Sequence, residues 1–198
     1  MKKTFSILLA LALGFGATST ALAQDNGRAF YKQSYESRNS GSFDHNTSLV
    51  SIGYGLNNST FGGYWDGGFG PIYGKYEHGI IDEVGIGGYL GLAGSHHSGH
   101  GYKDNATAIG FGVLGYYHFN KLIPLKKLDV YAGAGLGFVN GHYKYDTHSP
   151  YKESESYFDI DAIFKAGARW YFTQGFGAFL EVGYDDMSLA NLGVTFRF

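Results

Sequence analysis

The chain of 198 residues contains no cysteine. A disulfide scaffold, a cysteine nucleophile, a thiolate metal site and a lipid anchor on an N-terminal cysteine are therefore excluded. Long apolar runs are almost as scarce. The one present, Phe5 to about Gly16, follows Lys2 and Lys3 and precedes Ala21-Leu22-Ala23, the small-x-small pattern of signal-peptidase cleavage before Gln24. It is short for a spanning helix, so residues 1–23 are read as a signal peptide and set apart from the fold. Strong charge of either sign is missing as well. Without Lys2 and Lys3 the remaining chain has 13 basic against 17 acidic side chains, a formal charge of −4, which does not invite nucleic acid. Proline occurs only 3 times, against 32 Gly, 17 Tyr and 16 Phe. Ordinary domains have Gly near ~7%. Here the glycines fall inside alternating segments, which favours strands where backbones or bulky neighbours approach closely.

Residues 24–45 form a polar lead without sustained periodicity, expected on the periplasmic side. From residue 46, eight alternating segments follow, at about 47–56, 71–80, 83–93, 106–119, 128–142, 157–172, 176–185 and 188–198. The sixth is the clearest. Phe158, Ile160, Ala162, Phe164, Ala166, Ala168, Trp170 and Phe172 share one face without a charge, opposite Asp159, Asp161, Lys165 and Arg169.

Alternation alone also suits a soluble sandwich, and four further features favour a membrane. Segment lengths match tilted barrel strands of roughly 9–11 residues. Charges keep to one parity, as they must where lipid contact costs about 2–4 kcal/mol. Outward aromatics gather at both segment ends, with Trp170, Phe172, Phe176, Phe119 and Phe198 toward one rim and Phe158, Phe138, Tyr184 and Tyr54 toward the other. Connections alternate between long (57–70, 94–105, 143–156) and short (81–82, 173–175), with 120–127 intermediate. Outer-membrane barrels have short periplasmic turns and longer outer loops, so both termini are expected in the periplasm.

The signal peptide, the stretch FKAGARWYFTQGFGAFLEVGYDDMSLANLGVTFRF and the final Phe198 together resemble the small outer-membrane β-barrel proteins of Gram-negative bacteria, the OmpX/OmpW-like superfamily. The similarity covers roughly residues 46–198 and is strongest over the last 35. It implies an all-β, eight-stranded antiparallel up-and-down transmembrane barrel over 46–198, monomeric, surrounded by outer-membrane lipid. It also implies that Phe196 and Phe198 on the last strand act as a signal to the barrel assembly machinery during insertion. Members of the group include structural barrels, narrow channels, adhesins and lipid-modifying enzymes, and the fold does not choose among them.

The inward parity collects Lys75, Lys165, Arg169 and Arg197 with Glu77, Asp159, Asp161 and Glu181. This balanced set fits a salt-bridged plug, or a narrow pore lined by the same groups. A hairpin turning about Thr173 would set Lys165 opposite Glu181. Inward glycines such as Gly133, Gly135 and Gly137 leave space either for water or for large side chains from the opposite wall. His96, His97 and His100 fall within five residues of an expected outer loop and are candidate metal ligands, although no carboxylate is nearer than Asp104. His96-His97-Ser98 has the His-x-Ser spacing of an outer-membrane lipid A deacylase, where the pair sits on a strand. Gly110-Phe-Gly112-Val-Leu-Gly115 spells a dinucleotide motif but lies within a strand with no helix after it. Tyr64, Trp65, Tyr143, Tyr145 and Tyr151 are the expected partner-facing surface, since Tyr and Trp are enriched in binding patches.

These observations describe an integral barrel with a structural or surface-interaction role through its extracellular loops, with no cofactor and no catalytic turnover. A narrow channel through the charged lumen is the alternative, and an enzyme acting on envelope lipid the third reading.

Overall fold

The computed structural model describes residues 42–58, 67–99, 102–145 and 153–198. Residues 1–41, including the stretch expected to be a signal peptide, and Tyr64, Trp65, His100 and Tyr151 lie outside the described residues. Eight strands follow in chain order: β1 (Ser48–Asn58), β2 (Gly67–Ile81), β3 (Val84–Gly99), β4 (Tyr102–His118), β5 (Leu128–Tyr145), β6 (Glu153–Tyr171), β7 (Phe176–Tyr184) and β8 (Ser188–Arg197). Each pairs antiparallel with its neighbour, and β1 pairs with β8 to close the barrel. Closure leaves the spanning wall without a free edge.

The two faces have the composition the alternation demands. Every strand presents a large apolar side chain outward: Ile52, Ile72, Leu90, Val113, Leu136, Ile160, Leu180 and Leu192 are all 45–57% exposed. A soluble protein would not leave such a continuous apolar belt in water. Aromatic contacts edge the belt at both ends, through Phe172, Phe176 and Phe196 at one and Phe111, Phe138 and Phe158 at the other. This is the lipid-facing surface of a membrane-spanning barrel with aromatic girdles.

Inside, glycines and tyrosines are matched across neighbouring strands. Tyr116 is paired with Gly133 and Tyr131 with Gly167. A Cβ at either glycine would come within 2.7 Å of its partner's ring. The space left by these glycines is thus filled by a ring from the adjacent strand rather than from the opposite wall. Tyr73, Tyr131, Leu114, Ile163 and Met187 complete an interior from which water is excluded.

The strands reach further than the hydrophobic alternation does. At the end opposite the start of β1, called here the far end, β3 to β6 extend to Gly99, Tyr102, Tyr145 and Glu153, through stretches expected to be loop. Beyond the belt both faces of a strand are wet, so polar residues occupy both parities and the pattern that marks a strand disappears. The wall is also uneven. β6 pairs with β5 up to Tyr145↔Glu153, but with β7 only up to Phe164↔Tyr184. Above Phe164, residues 153–163 of β6 have no strand beside them on the β7 side among the described residues.

Candidate functional site

Burial of charge in a barrel is costly unless every ion is paired and hydrogen-bonded. The lumen pairs its buried charges in two networks, with Arg169 Nε left without a hydrogen-bond partner. Nearer the start of β1, the Arg169 guanidinium on β6 donates through Nη2 to Glu77 Oε2 (2.6 Å) and through Nη1 to Asp129 Oδ2 (2.8 Å). His118 bridges the other oxygens of the same acids, with Nε2 2.6 Å from Glu77 Oε1 and Nδ1 2.7 Å from Asp129 Oδ1. Four strands thereby converge on one closed ring of ionisable groups. The guanidinium carbon sits 3.8 Å from the Tyr131 ring centroid, a cation–π contact that shields it further.

The second network lies one layer higher. Lys75 is paired with Glu181, which also accepts from the Tyr131 hydroxyl at 2.8 Å. Lys165 donates to Asp185 Oδ2 at 2.6 Å. The other Asp185 oxygen accepts from the Tyr73 hydroxyl (3.2 Å) and from the backbone N–H of Met187 (3.0 Å) and Ser188 (2.7 Å). One carboxylate therefore holds a lumen lysine and shapes the tight β7–β8 connection.

The near mouth is closed from within the chain. Ser42 donates to the carbonyl of Leu128 at 2.9 Å, Asn120 Nδ2 to the carbonyl of Phe43 at 2.7 Å, and Phe43 is buried against His118. Residues 42–45, assigned to the lead by composition, include part of the lumen seal. With side chains of 0–5% exposure across its section, among them Tyr131, His118, Asp129, Glu181 and Arg169, the described lumen is a filled core.

Five of the eight charged residues picked out by parity, Lys75, Glu77, Lys165, Arg169 and Glu181, join these networks. Three do not. Arg197 lies at the near rim, donating through Nε to the carbonyl of Gln174 (2.9 Å) and stacking on Tyr171 (4.0 Å). Asp159 and Asp161 stand at the far mouth, where with Asp186 they bring carboxylate oxygens within 4.8 Å of one another. The expected Lys165–Glu181 opposition is also replaced. The β6–β7 register sets Lys165 against Gly183 and Glu181 against Gly167, because the turn is centred one residue later than Thr173. His118, Asp129 and Asp185 were missed. All three carry the inward parity of their own segments, Asp185 as the last residue of 176–185, and that is the signal that would have found them.

His96 and His97 lie on β3 rather than in a loop, and consecutive strand residues face opposite ways. They therefore cannot converge on one ion. His96 and Ser98 are exposed on the outward face, while Asp104, cross-strand from His97, is buried on the inward one, so the His-x-Ser pair gains no carboxylate from it. Tyr143 and Tyr145 sit above the far mouth on the inward parity of β5. Tyr143 stacks on Tyr157 of β6, ring centroids 5.7 Å apart, and on Tyr145, 6.4 Å apart. Burial, and then the neighbouring Tyr143, push the Tyr157 phenol up to about 12. Partial burial and the Glu155 carboxylate raise that of Tyr145. Both stay neutral donors with intact π faces at any ordinary pH.

A closed eight-stranded antiparallel barrel with an apolar exterior and a salt-bridged interior defines a small transmembrane β-barrel protein. The sequence matches no family model and no curated protein. Among solved structures the chain is similar to Ail, the attachment invasion locus protein of Yersinia pestis, crystallised with the heparin analogue sucrose octasulfate. The identity is 17% and the TM-score 0.52, with 78% of this chain and 99% of that chain covered. It is also similar to the N-terminal β-barrel domain of Pseudomonas aeruginosa OprF, at 22% identity and TM-score 0.43 over 78% of this chain and 99% of that one. The likeness to Ail establishes a shared barrel fold.

Proposed function

We propose that this protein is a monomeric outer-membrane barrel that works by surface interaction at its far end, with the lumen serving as a structural core. The observation that carries this reading is the uneven rim. The long strands β3 to β6 rise past the short β7–β8 hairpin, and among the described residues no strand pairs with β6 residues 153–163 on the β7 side, which leaves an open edge there. Pairing potential of that kind invites strand addition by a partner. A barrel built only to span a membrane has no need of it. In this reading the short connections and both ends of the barrel chain face the periplasm, and the extended strands face outward. Phe196, exposed on β8, and Phe198, exposed just past its end, supply the aromatic signal read by the assembly machinery. Ail was solved with a sulfated ligand; the carboxylates at this far mouth do not favour a polyanion of that type.

The test is single-channel current across a planar bilayer holding refolded protein, with heat-modifiable gel migration confirming the barrel. The expected result is a silent membrane. Reproducible unitary steps that change with Lys165→Met would overturn the reading and make the lumen a conduction path.

A further inference from the structure

The inner face of β5 and β6 above the β7–β8 hairpin has no further strand packed beside it among the described residues, and its chemistry is unusual. Strand parity places Tyr143 and Tyr145 of β5 and Glu155, Tyr157, Asp159 and Asp161 of β6 on it. Glu155 is directly cross-strand from Tyr143, so a carboxylate adjoins the stacked tyrosines. Asp186 reaches the same mouth from the hairpin, positioned by a hydrogen bond from Tyr184 and by a left-handed backbone, φ 62°. Lys144 is on the opposite parity. Among the described residues this face of the two strands has no lysine or arginine.

Stacked neutral tyrosines beside carboxylates are complementary to one kind of group. An ammonium or guanidinium gains from the electron-rich ring faces and from the acids together, whereas an anion is repelled by the same acids. We infer that this face binds a cationic segment of a partner protein, its Arg or Lys side chains seated between the Tyr143–Tyr157 stack and the acids of β6 and the hairpin. Arginine suits the site better than lysine, since its flat guanidinium stacks on a ring while its N–H fork meets a carboxylate. The open β6 edge lies beside the acids, so the backbone of the same segment would pair there. The inference rests on the surface-interaction reading and adds to it the charge of the partner.

The experiment is fluorescence anisotropy with the full chain in nanodiscs of zwitterionic lipid, titrated against a labelled peptide of alternating Arg and Gly and against its Glu-for-Arg counterpart. The Arg peptide is expected to bind and the Glu peptide not. Asp159→Asn/Asp161→Asn and Tyr143→Ala/Tyr157→Ala should each weaken binding about tenfold or more, while Lys144→Ala leaves it unchanged. Because Asp→Asn keeps shape and both acids stand at the far mouth outside the ion networks, unaltered heat-modifiable migration would show that the fold is kept. Raising salt should weaken the interaction further, screening acting over about 10 Å at 0.1 M. Equal binding of both peptides, no binding of the Arg peptide, or indifference to Asp159→Asn/Asp161→Asn would each overturn the inference. A conducting bilayer would defeat the surface-interaction reading independently of how the peptides behave.

Discussion

The ring of Phe43 lies flat on the imidazole of His118, centroids 3.5 Å apart and planes 5° from parallel. That contact joins the segment before β1 to the charged ring nearer the start of β1. His118 is itself fully buried and holds Glu77 and Asp129. Phe43 therefore completes the near end of the core while keeping water from three interacting ionisable groups.

Replacing Phe43 with Ala removes the ring and leaves a hole that water can enter. Large-to-small changes of this type cost about 3–5 kcal/mol in cores. The site is at a mouth and can relax, so the lower end of that range is expected. A lowered urea midpoint for the refolded barrel, with Phe43→Leu falling between the two, would bear this out. An unchanged midpoint would show that the segment merely rests on the barrel.

Arg169 neutralises two acids at once, so its loss should be felt more than that of any rim charge. Arg169→Met leaves Glu77 and Asp129 buried without their cation, and breaking a buried pair costs about 3–5 kcal/mol. Glu77→Met/Arg169→Met removes an opposite pair together and should recover part of the loss. A coupling of about 1 kcal/mol or more in the double-mutant cycle is the expected signature, read from equilibrium unfolding. Arg197→Met, at the half-buried near rim where the guanidinium meets backbone carbonyls and no acid, should cost less than either single change.

How far these networks could be read from the residues follows from where period-2 alternation operates. Within the belt one face meets lipid and the other the core, so parity sorts Ile160 from Lys165 and Leu180 from Glu181 without ambiguity. Strand number and closure follow from the same contrast. Parity carries no depth along the barrel axis, so Asp159 and Asp161 sort with the lumen charges although they stand at the mouth; beyond the belt the contrast vanishes, and the alternation of β3 to β6 ends before the strands do. Pairing partners were hidden for the same reason. Parity gives a face but no height, and a one-residue change in the β6–β7 turn moves Lys165 from Glu181 to Asp185. The seal at Ser42 and Phe43 had no periodic signal at all, since two residues do not make a pattern.

Glycines in this barrel should divide sharply by face. Gly133 and Gly167 lie under tyrosine rings, where a Cβ would come within 2.7 Å of Tyr116 and Tyr131 respectively. Gly74 and Gly115 have nothing within 4 Å. Alanine at either of the first two must displace a packed ring, and overpacking of this kind costs about 1–3 kcal/mol. Alanine at Gly74 or Gly115 meets no atom and reduces the freedom of the unfolded chain, so it should be neutral or stabilising by about 0.4–1 kcal/mol. Urea unfolding of the four variants, made singly, checks the division. Similar losses at all four would mean that strand backbone, rather than ring packing, dictates glycine here.

The exterior belt gives the last expectation, because it separates a membrane barrel from a water-soluble one by a single side chain. Leu136 is 56% exposed on the outward face of β5, well within the belt. In water an exposed Leu→Arg change at a strand position is close to neutral or helps solubility. In a bilayer an arginine facing lipid costs about 2–4 kcal/mol near the midplane and little near the interfaces. Leu136→Arg should therefore lower the stability of the folded barrel in lipid vesicles by an amount in that range. The same substitution at Tyr54, in the aromatic girdle, should cost about 1 kcal/mol or less. Comparing the two variants at equal lipid composition isolates depth from charge, since both introduce the same group on the same face of the wall. A flat response across the two positions would mean that the apolar exterior is covered by protein instead of lipid.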